Sequence, residues 1–204
     1  MDRLTRPDRA PAPGEIFRFR CNICSAANTK SYEQLDREIP SCDGCGSNVR
    51  FRWIAHAVSE ALLGRGIPLT RLPVRKDIRG LGLSDCGAYA GPFARCFNYT
   101  NTFFHTEPRL DIGNIPEDSA GRYDFVIATE VLEHVVPPVD AALVNLYRLL
   151  RPGGIAFITV PWIGDVTREH YPDLFDYQIV ENDGRWQVTD RPGLGVKPRA
   201  SNRR

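Results

Sequence analysis

The sequence predicts an α/β protein with a mostly parallel, doubly wound sheet, preceded by a small module held by cysteines. Three observations carry that prediction. First, residues 123–160 read strand, helix, strand: the apolar run Phe125-Val126-Ile127-Ala128, then Val139, Leu143, Leu146, Tyr147 and Leu150 at spacings of three and four, then Ile155 to Val160. A crossover of that length makes the two strands parallel. Second, Gly80 and Gly82 lie upstream in an apolar-to-turn transition, Asp77 to Asp85. Third, Cys21/Cys24 and Cys42/Cys45 form two C-x2-C pairs separated by residues 25–41.

Composition bounds the function classes. The 204 residues are 42% hydrophobic and 25% charged, ordinary for a globular chain. A net charge of +1 gives no global electrostatic case for nucleic acid or membrane. The first residues lack a signal-peptide core and no run reaches membrane-spanning length, so the expected location is cytoplasmic.

Taken in order, residues 1–15 are Pro-rich with alternating charge and predict a disordered arm. Residues 16–48 hold the two knuckles, whose spacing matches a four-cysteine zinc ribbon. Gly44 and Gly46 suit the turn around the second pair. The competing readings are two disulfides, disfavoured in a reducing compartment, or a ribbon without metal. A closed set of four thiolates leaves no open position, so the metal's role is structural. Residues 49–76 supply a connecting helix and linker: Val49 to Leu63, with Ile54, Ala57, Val58, Ala61 and Leu62 on one face and Gly64 and Gly66 ending it, then a Pro-containing approach to the sheet. Arg50 and Arg52 alternate with Phe51 and Trp53 beside the second knuckle, which reads either as a nucleic-acid contact or as a packing corner.

Residues 77–190 form the main domain. Its first strand looks thin before Gly80 and Gly82, and Ser84-Asp85 are placed to cap the next helix. That helix carries Tyr89, Phe93 and Phe97 at every fourth position, but Pro92 predicts a break or a late start. Asn101 to His105 and Leu110 to Ile112 read as short strands. The later helix is expected to hold Arg151 in its last turn and to end at Pro152-Gly153-Gly154. Parallel sheets bind ligands at the carboxyl ends of their strands, here Thr129-Glu130 and Pro161-Trp162. Further on, Tyr177–Val180 and Arg185–Val188 flank Asn182-Asp183-Gly184, a hairpin signal, and residues 191–204 predict a disordered basic tail.

The stretch YDFVIATEVLEHV, joined by one helix to LLRPGGIAFITVP, resembles the second half of the Rossmann-like class I S-adenosylmethionine (SAM)-dependent methyltransferase domain of type 11-like proteins. The resemblance implies transfer of a methyl group from SAM to an acceptor whose class it leaves open. It places Gly80, Gly82 and Ser84 in the cofactor-binding first motif, shortened by the missing third glycine. It puts Glu107 on the ribose hydroxyls, Asp111 and Ile112 at the adenine, and Glu130, Val131 and His134 at the methionine end. His134, His170 and Tyr171 are the candidate general bases, needed only for a poorly acidic acceptor. Glu130, Glu133 and His134, with His170, also match the metal cluster of the small-RNA 3′-end methyltransferases, although the same letters occur in members that bind no metal. The full domain continues with a helix and an antiparallel strand pair that this sequence does not spell out. The chain therefore reads as an incomplete domain with an exposed sheet edge open to self-association. Two alternatives accompany the enzyme: a non-catalytic or truncated relative, and an RNA-binding ribbon serving the methyltransferase.

Overall fold

A computed structural model describes residues 11–135, 138–161, 177–183 and 185–190. Trp162, His170, Tyr171, the outermost part of the arm and the basic tail lie outside the described residues. The chain divides into two compact units, Met1–Arg75 with Cys86–Cys96, and Lys76–Asp85 with Phe97–Arg204. Residues 86–96 thus group with the first unit and not with the strands on either side of them.

The first unit opens with an antiparallel hairpin, β1 (Ile16–Arg20) and β2 (Ala27–Ser31), whose register runs from Ile16↔Ser31 to Arg20↔Ala27. Helix α1 spans Val49–Leu63, the span the periodicity predicts. Asn48 caps it by accepting the Phe51 N–H at 2.8 Å, and Gly64 ends it at φ 72°. Of the predicted face Ile54 and Val58 are buried, joined by Ala55 and Ser59. Ala61 is exposed, because the Ser59 hydroxyl is drawn inward to accept from the Ile67 N–H at 3.0 Å and donate to the His56 carbonyl at 2.9 Å. Helix α2 (Gly87–Cys96) runs unbroken through Pro92, contrary to the expected break. Tyr89 and Phe93 are fully buried, and Tyr89 meets Phe51 at 5.7 Å between ring centroids. Packing of this face offsets the hydrogen bond that proline cannot donate.

The second unit holds a four-stranded sheet of β3 (Arg75–Leu83), β4 (Phe97–Thr102), β5 (Tyr123–Thr129) and β6 (Leu150–Thr159), in the order β4-β3-β5-β6. β5 is parallel to both β3 and β6, as the strand–helix–strand reading requires. β3 is not thin: it runs nine residues, and Gly80 and Gly82 lie inside it rather than in a turn. β4 begins at Phe97, so Phe97 belongs to the sheet and not to the preceding helix, and the strand ends at Thr102. Leu110–Ile112 form no strand. A single parallel bridge, Phe103↔Arg109, holds that loop, which turns at Asp111.

Helix α3 (Val139–Leu149) stops earlier than predicted, and residues 150–154 already belong to β6. Arg148, not Arg151, occupies its last turn. The buried face is Ala142, Asn145, Leu146 and Leu149, whereas Leu143 is 44% and Tyr147 79% exposed. The helix is rotated because Asn145 faces inward and donates its Nδ2 to the Ile112 carbonyl at 2.9 Å. One sheet face packs Leu81, Leu83, Val126 and Ala128 with Leu146 and Leu149. On the other, Phe125 stacks on Tyr99 at 5.9 Å and meets Phe97 and Phe157 edge-on. The predicted hairpin is present as β7 (Tyr177–Asn182) and β8 (Arg185–Asp190), antiparallel and in a sheet of their own, with Asp183 at φ 52°.

Candidate functional site

From β3 the chain goes to β4 on one side, and from β5 to β6 on the other. The crevice at the carboxyl ends of β3 and β5 is therefore a topological switch point, where open α/β sheets bind ligands. Each strand ends on a non-glycine residue in the left-handed region, Ser84 at φ 59° and Glu130 at φ 55°. Such conformations cost of order 1–3 kcal/mol and gather at ligand-binding turns. Ser84 is exposed and its N–H donates to the Thr102 carbonyl at 2.7 Å. Glu130 donates its N–H to the Thr159 carbonyl at 3.0 Å and accepts the Thr159 hydroxyl on Oε1 at 2.8 Å.

Gly80 and Gly82 lie where a side chain would collide with rings on the neighbouring strands. A Cβ on Gly80 would sit 2.1 Å from Phe125 Cζ, and one on Gly82 would sit 1.9 Å from the Tyr99 hydroxyl. Both leave room for aromatic rings on the sheet. Asp85, which the sequence reading placed as a helix cap, is 5% exposed and accepts the Tyr99 hydroxyl. Asn101 clamps the same residue, its Oδ1 taking the Asp85 N–H at 2.8 Å and its Nδ2 donating to the Asp85 carbonyl at 2.9 Å. Both partners lie on β4, two residues apart at Tyr99 and Asn101.

Of the predicted acids, Glu107 sits on the exposed loop after β4, with Oε2 accepting the Arg109 N–H at 2.9 Å. Asp111 Oδ1 accepts the Gly113 N–H at 2.8 Å, and Ile112 behind it is buried. Val131 opens the short turn Leu132–His134. In that turn Glu133 is buried and His134 is exposed, its Nε2 3.8 Å from Glu133 Oε1. Among the described residues Glu130, Glu133 and His134 do not converge into a metal-binding group.

In the first unit Cys21, Cys24, Cys42 and Cys45 do converge, their four Sγ atoms all within 4.8 Å of one another. Cys24–Cys42 and Cys21–Cys45 lie at 3.5 and 3.8 Å. A zinc–sulfur bond of about 2.3 Å gives a tetrahedral sulfur–sulfur edge of about 3.8 Å, so the set has the dimensions of a four-thiolate site. The two knuckles are built alike: Ser25 N–H donates to the Cys21 carbonyl and Gly46 N–H to the Cys42 carbonyl, with φ 67° and 68°. Burial pushes the Cys42 thiol up, but the N–H groups of Cys45 and Gly44 and the neighbouring thiols outweigh it and hold the group at about 6. Burial pushes Cys24 up to about 12.

Arg50 makes a bidentate pair with Glu38 at 2.8 and 2.7 Å. Arg52 donates to Ser41 Oγ at 2.8 Å and to the Ser47 carbonyl at 2.7 Å. Both arginines beside the second knuckle are used to hold the ribbon against α1.

A parallel α/β sheet with turns poised at its switch point defines a ligand-binding domain of the Rossmann-like class. The family model described as "Methyltransferase domain" matches residues 68–191, more than half of the chain, and the chain belongs to that family. Among solved structures, that of the citrinin polyketide synthase CMeT domain is similar at 17% identity over 44% of this chain and 31% of that one, with a TM-score of 0.36. The match thus spans less than a third of that protein's length. No curated protein matches.

Proposed function

We propose that the second unit binds SAM at the carboxyl ends of β3 and β5 and transfers its methyl group to an acceptor. The observation that carries this is the pair of left-handed turns, Ser84 and Glu130, on neighbouring strands at the switch point of a methyltransferase-family domain. When bound, SAM supplies an electrophilic methyl on a sulfonium. Asp111 and Glu107 would accept hydrogen bonds from the adenosine, and the backbone of Gly82-Leu83-Ser84 and Glu130-Val131 would line the methionine portion. Alignment and exclusion of water then supply most of the acceleration, which leaves little for a side-chain base to do. Among the described residues His134 is the candidate for that task, because its exposed imidazole follows directly on the β5 turn.

The four cysteines hold a structural zinc in the same reading, supported by their mutual distances and the matched knuckles. The deciding experiment is calorimetric titration of the zinc-loaded full chain with SAM, followed by tritiated-methyl transfer against small-molecule, glycan and RNA pools. Binding with turnover supports the enzyme. Binding without turnover in any pool supports a non-catalytic relative, and absence of binding overturns the proposal.

A further inference from the structure

The first unit carries a groove along the edge of its hairpin. A cavity of about 420 Å³ runs beside β1, lined on its apolar side by Phe17, Phe19, Leu35, Val49 and Trp53, the last 49% exposed, and also by Asn22 and Arg52, whose guanidinium lies over the Phe19 ring at 4.7 Å. Among the described residues β1 pairs only with β2. The phase of that pairing follows from its ends, where Tyr32 N–H donates to the Glu15 carbonyl and Cys21 N–H to the Ala26 carbonyl. Antiparallel strands alternate the direction of their backbone groups, so the odd residues face β2 and Arg18 and Arg20 turn theirs outward. Among the described residues no backbone hydrogen bond meets that outer edge. Side chains alternate the other way. Phe17 and Phe19 are half-buried, Arg18 and Arg20 are exposed, and all four residues line the groove along the edge.

We propose that the outer edge of β1 is a docking site for an extended peptide of another protein, whose residues alternate between apolar and acidic. An added strand would gain main-chain hydrogen bonds from Arg18 and Arg20, and would place every second side chain over Phe17, Phe19 and Trp53. Its remaining side chains would stand beside the two arginine side chains, where carboxylates form favourable cross-strand pairs. A second copy of β1 is a poor occupant, because it would set arginine against arginine. Single-stranded nucleic acid would leave the open backbone edge unused, and Arg50 and Arg52 are already tied to Glu38, Ser41 and Ser47.

The test is selection of displayed random heptapeptides on the zinc-loaded full chain, with the Arg18→Glu/Arg20→Glu chain as counter-target. The arginines are exposed and the variant should fold, which zinc content and melting check; Trp53→Ser is the second variant. Enriched peptides should alternate acidic and apolar residues and bind each variant about tenfold more weakly. N-methylation of one alternating set of peptide amides should abolish binding, while the other set is tolerated. No enrichment, or binding indifferent to the arginines and to both methylated sets, overturns the proposal. So does competition by oligo-uridylate at comparable affinity, or dimerisation of the chain that the arginine substitutions remove.

Discussion

Ser84 and Glu130 end neighbouring strands in the same left-handed conformation, at φ 59° and 55°, although neither is a glycine. A side chain there costs roughly 1–2 kcal/mol relative to an ordinary conformation, partly offset by the greater freedom glycine has when unfolded. Ser84→Gly should therefore stabilise the domain by about 0.5–1 kcal/mol in urea denaturation. Glu130→Gly relieves the same strain but deletes the carboxylate that accepts from Thr159, so its stability should change little while SAM affinity falls. A Ser84→Gly chain less stable than the parent would show that the serine side chain, not the backbone turn, matters there.

Asp111→Ala should weaken SAM binding by roughly 1.5–3 kcal/mol, the cost of a lost charge-assisted hydrogen bond. Glu117, exposed in the short turn Glu117–Ser119, is the control and should have almost no effect as Glu117→Ala. Because Asp111 also accepts the Gly113 N–H, the melting temperature must be read alongside the calorimetry. Equal losses at both positions would mean the adenosine lies elsewhere.

One zinc per chain is expected by elemental analysis, retained through gel filtration. Four-thiolate sites bind with apparent energies of order 10 kcal/mol at neutral pH. Cys42→Ser should release the metal and unfold the hairpin against α1, whereas Cys86→Ser should keep full occupancy. Four freely titrating thiols at Cys21, Cys24, Cys42 and Cys45 in protein purified under reducing conditions would exclude the site.

The parts legible in the sequence were those fixed by neighbours in the chain. Gly64 marks the end of α1 because capping is local. The parallel β5–α3–β6 unit follows from two apolar runs and the crossover between them, and the cysteine spacing sufficed to bring four Sγ atoms together. The misread parts were decided by residues far along the chain. Gly80 and Gly82 look like a cofactor turn, but the rings that demand them belong to Phe125 and Tyr99. Ser84, not a glycine, takes the left-handed turn, which is why the first motif looked short. Phe97 continues the fourfold spacing of α2 yet enters the sheet, and Tyr147 points outward because Asn145 is needed inside. A hydrogen bond from Asn145 to a carbonyl in another loop leaves no mark on local periodicity.

Glu38 links acid sensitivity to the ribbon. Its carboxyl lies below the usual range, chiefly because the Arg50 guanidinium bonds to it, against some burial. A depressed carboxyl contributes stability that is present above the unfolded value of about 4.3 and is lost as pH falls through the lower folded value. Glu38 is half exposed, so Glu38→Gln should cost no more than about 1 kcal/mol at pH 7. The difference between parent and variant should hold steady from neutrality down to about pH 4.5 and vanish below it. A gap that widened on acidification would contradict the assignment.

The aromatic layer of the sheet offers the sharpest test of the fold. Gly80 faces Phe125, which is fully buried between Tyr99, Phe97 and Phe157. Gly80→Ala brings a methyl to 2.1 Å from Phe125 Cζ, so a ring held on three sides must move. Overpacking of this kind costs roughly 1–3 kcal/mol. Phe125→Leu alone should also destabilise, by leaving part of the ring's volume empty, at a cost of about 1–3 kcal/mol. Combined, the two should cost less than their sum, since the leucine vacates the space that the alanine methyl needs. A coupling of at least about 1 kcal/mol toward stability is expected from the double-mutant cycle in urea. Strict additivity would mean that Gly80 is not glycine for the sake of the ring, and the close backbone approach of a ligand would again become the reason for a glycine at that place in β3.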